Sequence, residues 1–346
     1  MNKKLLYIIL SLAIILLIPF VFSSEENMQK TINISELSLD EKIGQLMFVK
    51  PSGKNINYLK ELHVGGIFLN NLNSKENYID SIYFYQNNSK IKLFVATDME
   101  GYWNPFNNFY NSSSFGDINS REESYNLGKE HGKILNELGF NLDFSPIVET
   151  KNNVWPYRTF TGTPEEIKGK ISGYIEGLHS ENILTTAKHY PGGSLIKNPH
   201  LIKYKANISL EELSYFDFAI SQGIDFIMVG HPIVYGAIDS KGKQSSISPE
   251  VIGELKNKFN GVIITDAVTM MGLRISYLFN FKKVYPDLIL AGNDIILDTH
   301  KNSKYNSLVK RRNELKKAVL EGRVSQDRID KSVEKILKIK GYQVVY

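Results

Sequence analysis

The stretch GVIITDAVTMMG, residues 261–272, decides how this chain is read. Four consecutive residues, Val262 to Thr265, are β-branched and form a run suited to a buried strand. The run ends by delivering a carboxylate, Asp266, into a loop that carries Met270 and Met271. Taken alone, Asp266 is equally well explained as the cap of a following helix or as a functional carboxylate at a strand end.

The rest of the chain repeats the pattern. Short apolar runs at 43–50, 64–70, 92–98, 140–148, 184–190, 225–231 and 294–299 join 261–267 as strand candidates. Between them lie helical periodicities over 121–138, 165–180, 209–223 and 248–259. Ser209 with Glu212 reads as a capping box, and Pro249 after Ser248 as a first helical position. The segment 323–342 reads as one last amphipathic helix. Eight strands alternating with helices predict an α/β fold, a (β/α)8 TIM-type barrel in a single domain over residues 31–346. A doubly wound open sheet is the competitor. No Gly-x-Gly-x-x-Gly follows the first strand, and no phosphate-binding Gly-x-x-x-x-Gly-Lys-Ser/Thr is present.

Composition narrows the function. The 346 residues carry 41 Lys and Arg against 37 Asp and Glu, a net charge of +4, with no nucleic-acid footprint. With no cysteine, thiolate metal sites, disulfides and a cysteine nucleophile are excluded. At the N-terminus, Lys3 and Lys4 precede an uncharged apolar run over residues 5–22, followed by Ser23, Ser24, Glu25 and Glu26. Residues 1–24 therefore read as a secretory signal peptide. An uncleaved membrane anchor is the alternative, since the run approaches the ~20 residues that span a bilayer. Either way the chain is expected to be exported, periplasmic or extracellular.

The ionisable residues Asp98, Lys188, His189, His231 and Asp266 all fall at ends of strand candidates. A barrel collects such ends around one mouth, where active sites form.

The pattern at 261–272 resembles the nucleophile strand of glycoside hydrolase family 3, with Ala267 replacing the second acid of the usual Ser/Thr-Asp-Asp-Leu-x-Met. Further segments resemble that family in order: SLDEKIGQLMFV (38–49), VGGIFL (64–69), ATDMEGYW (96–103), FNLDFSPIVE (140–149) and RTFTGTPEEI (158–167). The resemblance covers about residues 36–342 and is closest to the single-domain β-N-acetylhexosaminidases. It implies a retaining mechanism with Asp266 as nucleophile and no metal or organic cofactor. It also implies that Asp98, Arg158, Lys188 and His189 bind the sugar hydroxyls. The loop KHYPGGSLIKNPH (188–200) is similar to the group's Lys-His-Phe-Pro-Gly-His-Gly…Asp-Ser-His, one residue shorter. His200 then falls on the proton donor, and Asn198 takes the place of the aspartate that supports it. Trp103 replaces an arginine. The implied partner is a carbohydrate, a terminal β-linked N-acetylglucosaminide of cell-wall or chitin type, met by a monomer. The alternatives are a saccharide-binding barrel of impaired catalysis and another family activity such as β-glucosidase. His231 is given only a structural role.

Overall fold

The computed structural model describes residues 30–299 and 305–346, so the expectations placed on residues 1–24 lie outside the described residues. The strands are β1 (Thr31–Asn33), β2 (Met47–Val49), β3 (Gly66–Phe68), β4 (Phe94–Thr97), β5 (Leu142–Asp143) and β6 (Thr186–Tyr190). They continue with β7 (Lys205–Ile208), β8 (Phe226–Val229), β9 (Ile233–Gly236), β10 (Val262–Thr265), β11 (Ile296–Asp298) and β12 (Gln343–Val345).

This is an α/β fold built on parallel sheets. One sheet runs β11-β2-β3-β4-β5 and a second runs β10-β8-β6. The bridge Leu142–Leu184 links β5 to the segment entering β6, and the bridge Ile264–Ile295 links β10 to the segment entering β11. Both edges of the three-stranded sheet therefore meet the five-stranded one. Nearly every residue of β2, β3, β4, β6, β8 and β10 is buried. That explains why all of these but β6, which carries Lys188 and His189, read as largely apolar runs: sequence alternation is lost when both faces are covered.

Local chemistry sets the element ends. The Ser38–Glu41 capping box starts a helix over Leu39–Gln45, so the first strand is only Met47–Val49 and not the whole of 43–50. In the 140–148 run, pairing stops after Asp143. Pro146 lacks an N–H and cannot continue a ladder, and Ile147 makes only an isolated bridge to Lys188. Helices expected from periodicity appear at Arg121–Leu138, Pro164–Ser180, Leu210–Ser221, Pro249–Lys256 and Gln326–Ile339. Helices at Lys75–Asn87, Val284–Ala291 and Tyr305–Leu320 add to that set.

One helix pair matters for the site. A Cβ on Gly128 would lie 2.4 Å from the Tyr174 carbonyl oxygen, and one on Gly177 would lie 2.3 Å from that of Tyr125. Glycine thus lets Arg121–Leu138 and Pro164–Ser180 pack backbone to backbone. The contact seats Tyr174, fully buried, behind the end of β4.

Candidate active site

A cavity of about 650 Å³ opens at the C-terminal ends of the parallel strands. Its lining includes Asp98, Arg158, Lys188, His189, Asn198, His200 and Asp266, so the fold brings together all seven residues singled out from sequence. Phe68, Trp103, Trp155, Leu195, Met228 and Met270 supply apolar wall between them.

The deep wall is an ion-pair network. Lys188 Nζ lies 2.8 Å from Asp98 Oδ1 and also contacts Glu100. Arg158 donates to both oxygens of Glu100, Nε at 2.6 Å and Nη2 at 3.0 Å. Glu100 is wholly buried. Burial pushes its carboxyl up, but the Arg158 guanidinium and the Lys188 ammonium outweigh that and hold it well below the usual carboxylate range. The Arg158 guanidinium also lies 4.9 Å from the centre of the Trp155 ring. A bidentate Arg–carboxylate pair fixes the fork in one orientation, so Arg158 meets the cavity already positioned.

Asp98 and Glu100 are themselves pinned through the residue between them. The Met99 N–H donates to Asp143 Oδ1 at 2.9 Å, and the Tyr174 hydroxyl donates to the Met99 carbonyl at 3.0 Å. Burial raises the Asp143 carboxyl to about 7, against the bonds from Ser145 and Met99. The same Tyr174 hydroxyl meets His131 Nδ1 at 2.6 Å, and His131 Nε2 meets Ser112 Oγ at 2.6 Å. Burial holds the His131 ring neutral, its pKa lowered to about 3.

Glu149 performs the same service for β6. It accepts from His189 Nδ1 at 2.7 Å, from the His189 N–H at 3.1 Å and from the Ser194 N–H at 2.7 Å. A carboxylate partner places the proton on Nδ1 and leaves the other ring nitrogen available. The β6–β8 register shifts between Lys188 and Tyr190. In a regular strand neighbouring side chains face opposite ways; this irregularity accompanies Lys188 and His189 both lining the cavity.

Asp266 follows β10, its N–H bonded to the Val229 carbonyl at 2.9 Å. Its Oδ1 accepts from the Ala267 N–H at 2.6 Å. Burial works to raise this carboxyl, but the His189 and His231 rings, the Ala267 N–H and then His200 hold it below its ordinary value. Asp266 is therefore an ionised carboxylate facing the cavity. His231 Nε2 lies 3.1 Å from the Ala267 carbonyl, an acceptor only, so Nε2 carries the proton and Nδ1 accepts from Ser246 Oγ at 2.8 Å. Burial lowers its pKa despite the neighbouring Asp266. His231 thus secures the Ala267 peptide that caps Asp266.

The loop is built differently. Asn198 Oδ1 accepts from the backbone N–H of His200 at 3.0 Å, an Asx-type turn, and not from the imidazole. His200 is exposed at the cavity rim, and among the described residues its ring has no hydrogen-bond partner. The Gly272 N–H donates to the Pro199 carbonyl at 2.9 Å, which ties this loop to the segment after Asp266.

Three residues of the site were not singled out from sequence: Glu100, Glu149 and Asp143. All three lie inside segments quoted for their resemblance, Glu100 in ATDMEGYW and Asp143 and Glu149 in FNLDFSPIVE. The usable signal was a need for counter-charge, since buried Lys188 and Arg158 demand carboxylates.

Residues 38–339 match the family described as Glycosyl hydrolase family 3 N terminal domain. A β-N-acetylglucosaminidase/β-glucosidase from Cellulomonas fimi is 24% identical over 336 residues, 89% of this chain and 58% of that protein. A β-hexosaminidase from Idiomarina loihiensis is 26% identical over 222 residues, 59% of this chain and 66% of that protein. The solved structure of a family 3 β-N-acetylglucosaminidase from Paenibacillus sp. is 25% identical, with a TM-score of 0.78, covering 88% of this chain and 62% of that one. The chain thus spans about three-fifths to two-thirds of these relatives. With 38–339 inside one family model, the chain belongs to glycosyl hydrolase family 3 through its N-terminal domain.

Proposed function

We propose that this chain is a retaining exo-glycosidase that removes terminal β-linked N-acetylglucosamine from cell-wall or chitin-type saccharides. The observation that carries this is Asp266: a carboxylate kept ionised at the cavity, beside a pre-paired cluster of Asp98, Lys188, Arg158 and His189. The N-acetylated sugar is supported by the activities for which the Cellulomonas and Paenibacillus relatives are named. For the fold, two bridged sheets of five and three parallel strands support a closed (β/α)8 barrel, whose sites form at the C-terminal strand ends.

In the proposed reaction the Asp266 oxygen attacks the anomeric carbon as the bond to the leaving oxygen breaks, and His200 gives that oxygen its proton. Water then loses a proton to His200 and attacks the anomeric carbon, releasing Asp266. Asp98, Lys188, Arg158 and His189 hold the sugar hydroxyls, so that the reacting carbon is presented in one orientation. Asn198 supports His200 by shaping the loop that carries it.

A second reading, a saccharide-binding barrel of impaired catalysis, is favoured by the Asn198 bond to backbone and the unpartnered His200 ring. An aryl β-N-acetylglucosaminide assay separates the two. The hydrolase reading predicts turnover that disappears in Asp266→Asn; turnover no higher than that variant favours binding alone. Residues 1–24 are proposed to export the chain as a signal or an anchor. N-terminal sequencing of exported protein beginning near Glu25 supports cleavage, and beginning at Met1 supports an anchor.

A further inference from the structure

Beside the cavity mouth lies a face that the reaction does not use. Two segments form it, held together by the Gly272 to Pro199 backbone bond and by Lys203 Nζ to Ser276 Oγ at 3.2 Å. From them project Leu201, Ile202, Ile275, Leu278 and Phe279; Leu201 is 68% exposed, Leu278 63%, and Phe279 wholly exposed at 102%. Solitary exposed apolar residues need no explanation, whereas a contiguous group does.

The charges around it have one sign. From Leu195 to Ala206 and from Ala267 to Pro286, Asp266 aside, the sequence contains no Asp or Glu. The exposed cations are Lys197, Lys203, Lys205, Arg274, Lys282 and Lys283. Of these, Lys282 pairs with Glu314 at 3.2 Å. Among the described residues the other five make no ion pair. The adjoining Asp287 accepts from the Tyr277 hydroxyl at 2.7 Å.

We propose that this face docks on an anionic lipid bilayer, with Phe279 and Leu278 entering the interfacial layer and the lysines and Arg274 meeting lipid phosphates. Aromatic and aliphatic tips within a cationic rim are the composition that such a surface selects. Charge complementarity argues for the anionic leaflet. Of the two readings of residues 5–22, an uncleaved anchor would also bring the chain to a membrane. Because Pro199 and His200 both line the cavity, docking would present the cavity mouth to glycans held at the lipid surface. Tethering through residues 5–22 alone would leave residues 274–283 in water, which makes the two distinguishable.

The chain has no cysteine, so Phe279→Cys in the full chain accepts a single environment-sensitive fluorophore at an exposed position. Ser221→Cys carries the same probe at the opposite, N-terminal side of the strands. With vesicles of phosphatidylcholine containing phosphatidylglycerol, the probe at 279 is expected to shift to shorter wavelength and to be quenched by nitroxide lipid. The probe at 221 is expected not to change. Phosphatidylglycerol should favour the 279 response by at least about tenfold over phosphatidylcholine alone, and Arg274→Glu with Lys283→Glu should remove most of that preference. A probe at 279 that stays in water on bound protein overturns the proposal. So does an equal response with neutral vesicles. A shift without lipid that grows with protein concentration also overturns it, and assigns the face to a second copy of the chain. None of these readings depends on hydrolysis.

Discussion

The deep wall of the cavity and its His200 rim are two solutions to holding a polar side chain. In the wall, each charge meets at least one buried counter-charge: Lys188 meets Asp98 and Glu100, Arg158 meets Glu100, and His189 meets Glu149. At the rim, His200 projects from a loop in which the Asn198 amide oxygen accepts from backbone and not from the imidazole. The wall positions a ligand before it arrives. The rim leaves its imidazole to be positioned by the ligand. Binding and proton donation should therefore respond separately to substitution.

The largest effect is expected at Asp266. Asp266→Asn removes the proposed nucleophile and should lower turnover by at least about 10⁴-fold, while saccharide affinity, measured by calorimetry, stays within a few-fold of the parent.

Next is the wall itself. Glu100→Gln leaves Lys188 and Arg158 without their shared carboxylate and should cost about 3–5 kcal/mol of stability by denaturant titration at pH 7. The sign with pH follows from the lowered Glu100 pKa. Its contribution is complete above the ordinary carboxylate value of 4.5 and is lost as pH falls toward its folded value of about 2. The parent should lose stability over that window more steeply than Glu100→Gln. Parallel curves would contradict the assignment.

At the rim the effects should be smaller and selective. His200→Ala should reduce cleavage of a natural disaccharide by about 10²-fold or more, yet leave an aryl glycoside with an activated leaving group nearly unaffected. Equal losses on both would count against His200 as the acid. Smallest of all, Asn198→Asp supplies a carboxylate near the ring, which favours imidazolium. The alkaline limb of the pH profile for disaccharide cleavage should move upward, with folding stability unchanged.

The same division explains what was legible in the sequence. Strands buried on both faces leave long apolar runs, so the parallel strands and the cavity-lining residues at their ends could be read directly. The Arg121–Leu138 helix showed its periodicity and matched residue for residue. What escaped were features set by tertiary partners. The Tyr305–Leu320 helix is strongly charged along most of its length and buries only Leu308, Arg311, Leu315 and Ala318. The parallel pair β7–β9 joins segments far apart in sequence. Glu100, Glu149 and Asp143 looked like ordinary acids, because a counter-ion's role depends on which cation the fold places beside it. The Asn198 bond to backbone was equally hidden, since an Asx turn and a ring-orienting amide use the same oxygen.

The most direct test of the central claim is to trap the intermediate. Full-length protein is incubated with an activated 2-deoxy-2-fluoro glycoside whose sugar matches the substrate, quenched in acid, digested and examined by mass spectrometry. The account predicts one added glycosyl mass on the peptide containing Asp266, absent in Asp266→Asn. Inactivation with the glycosyl group on any other residue, or turnover of the substrate with no adduct on Asp266, would contradict it.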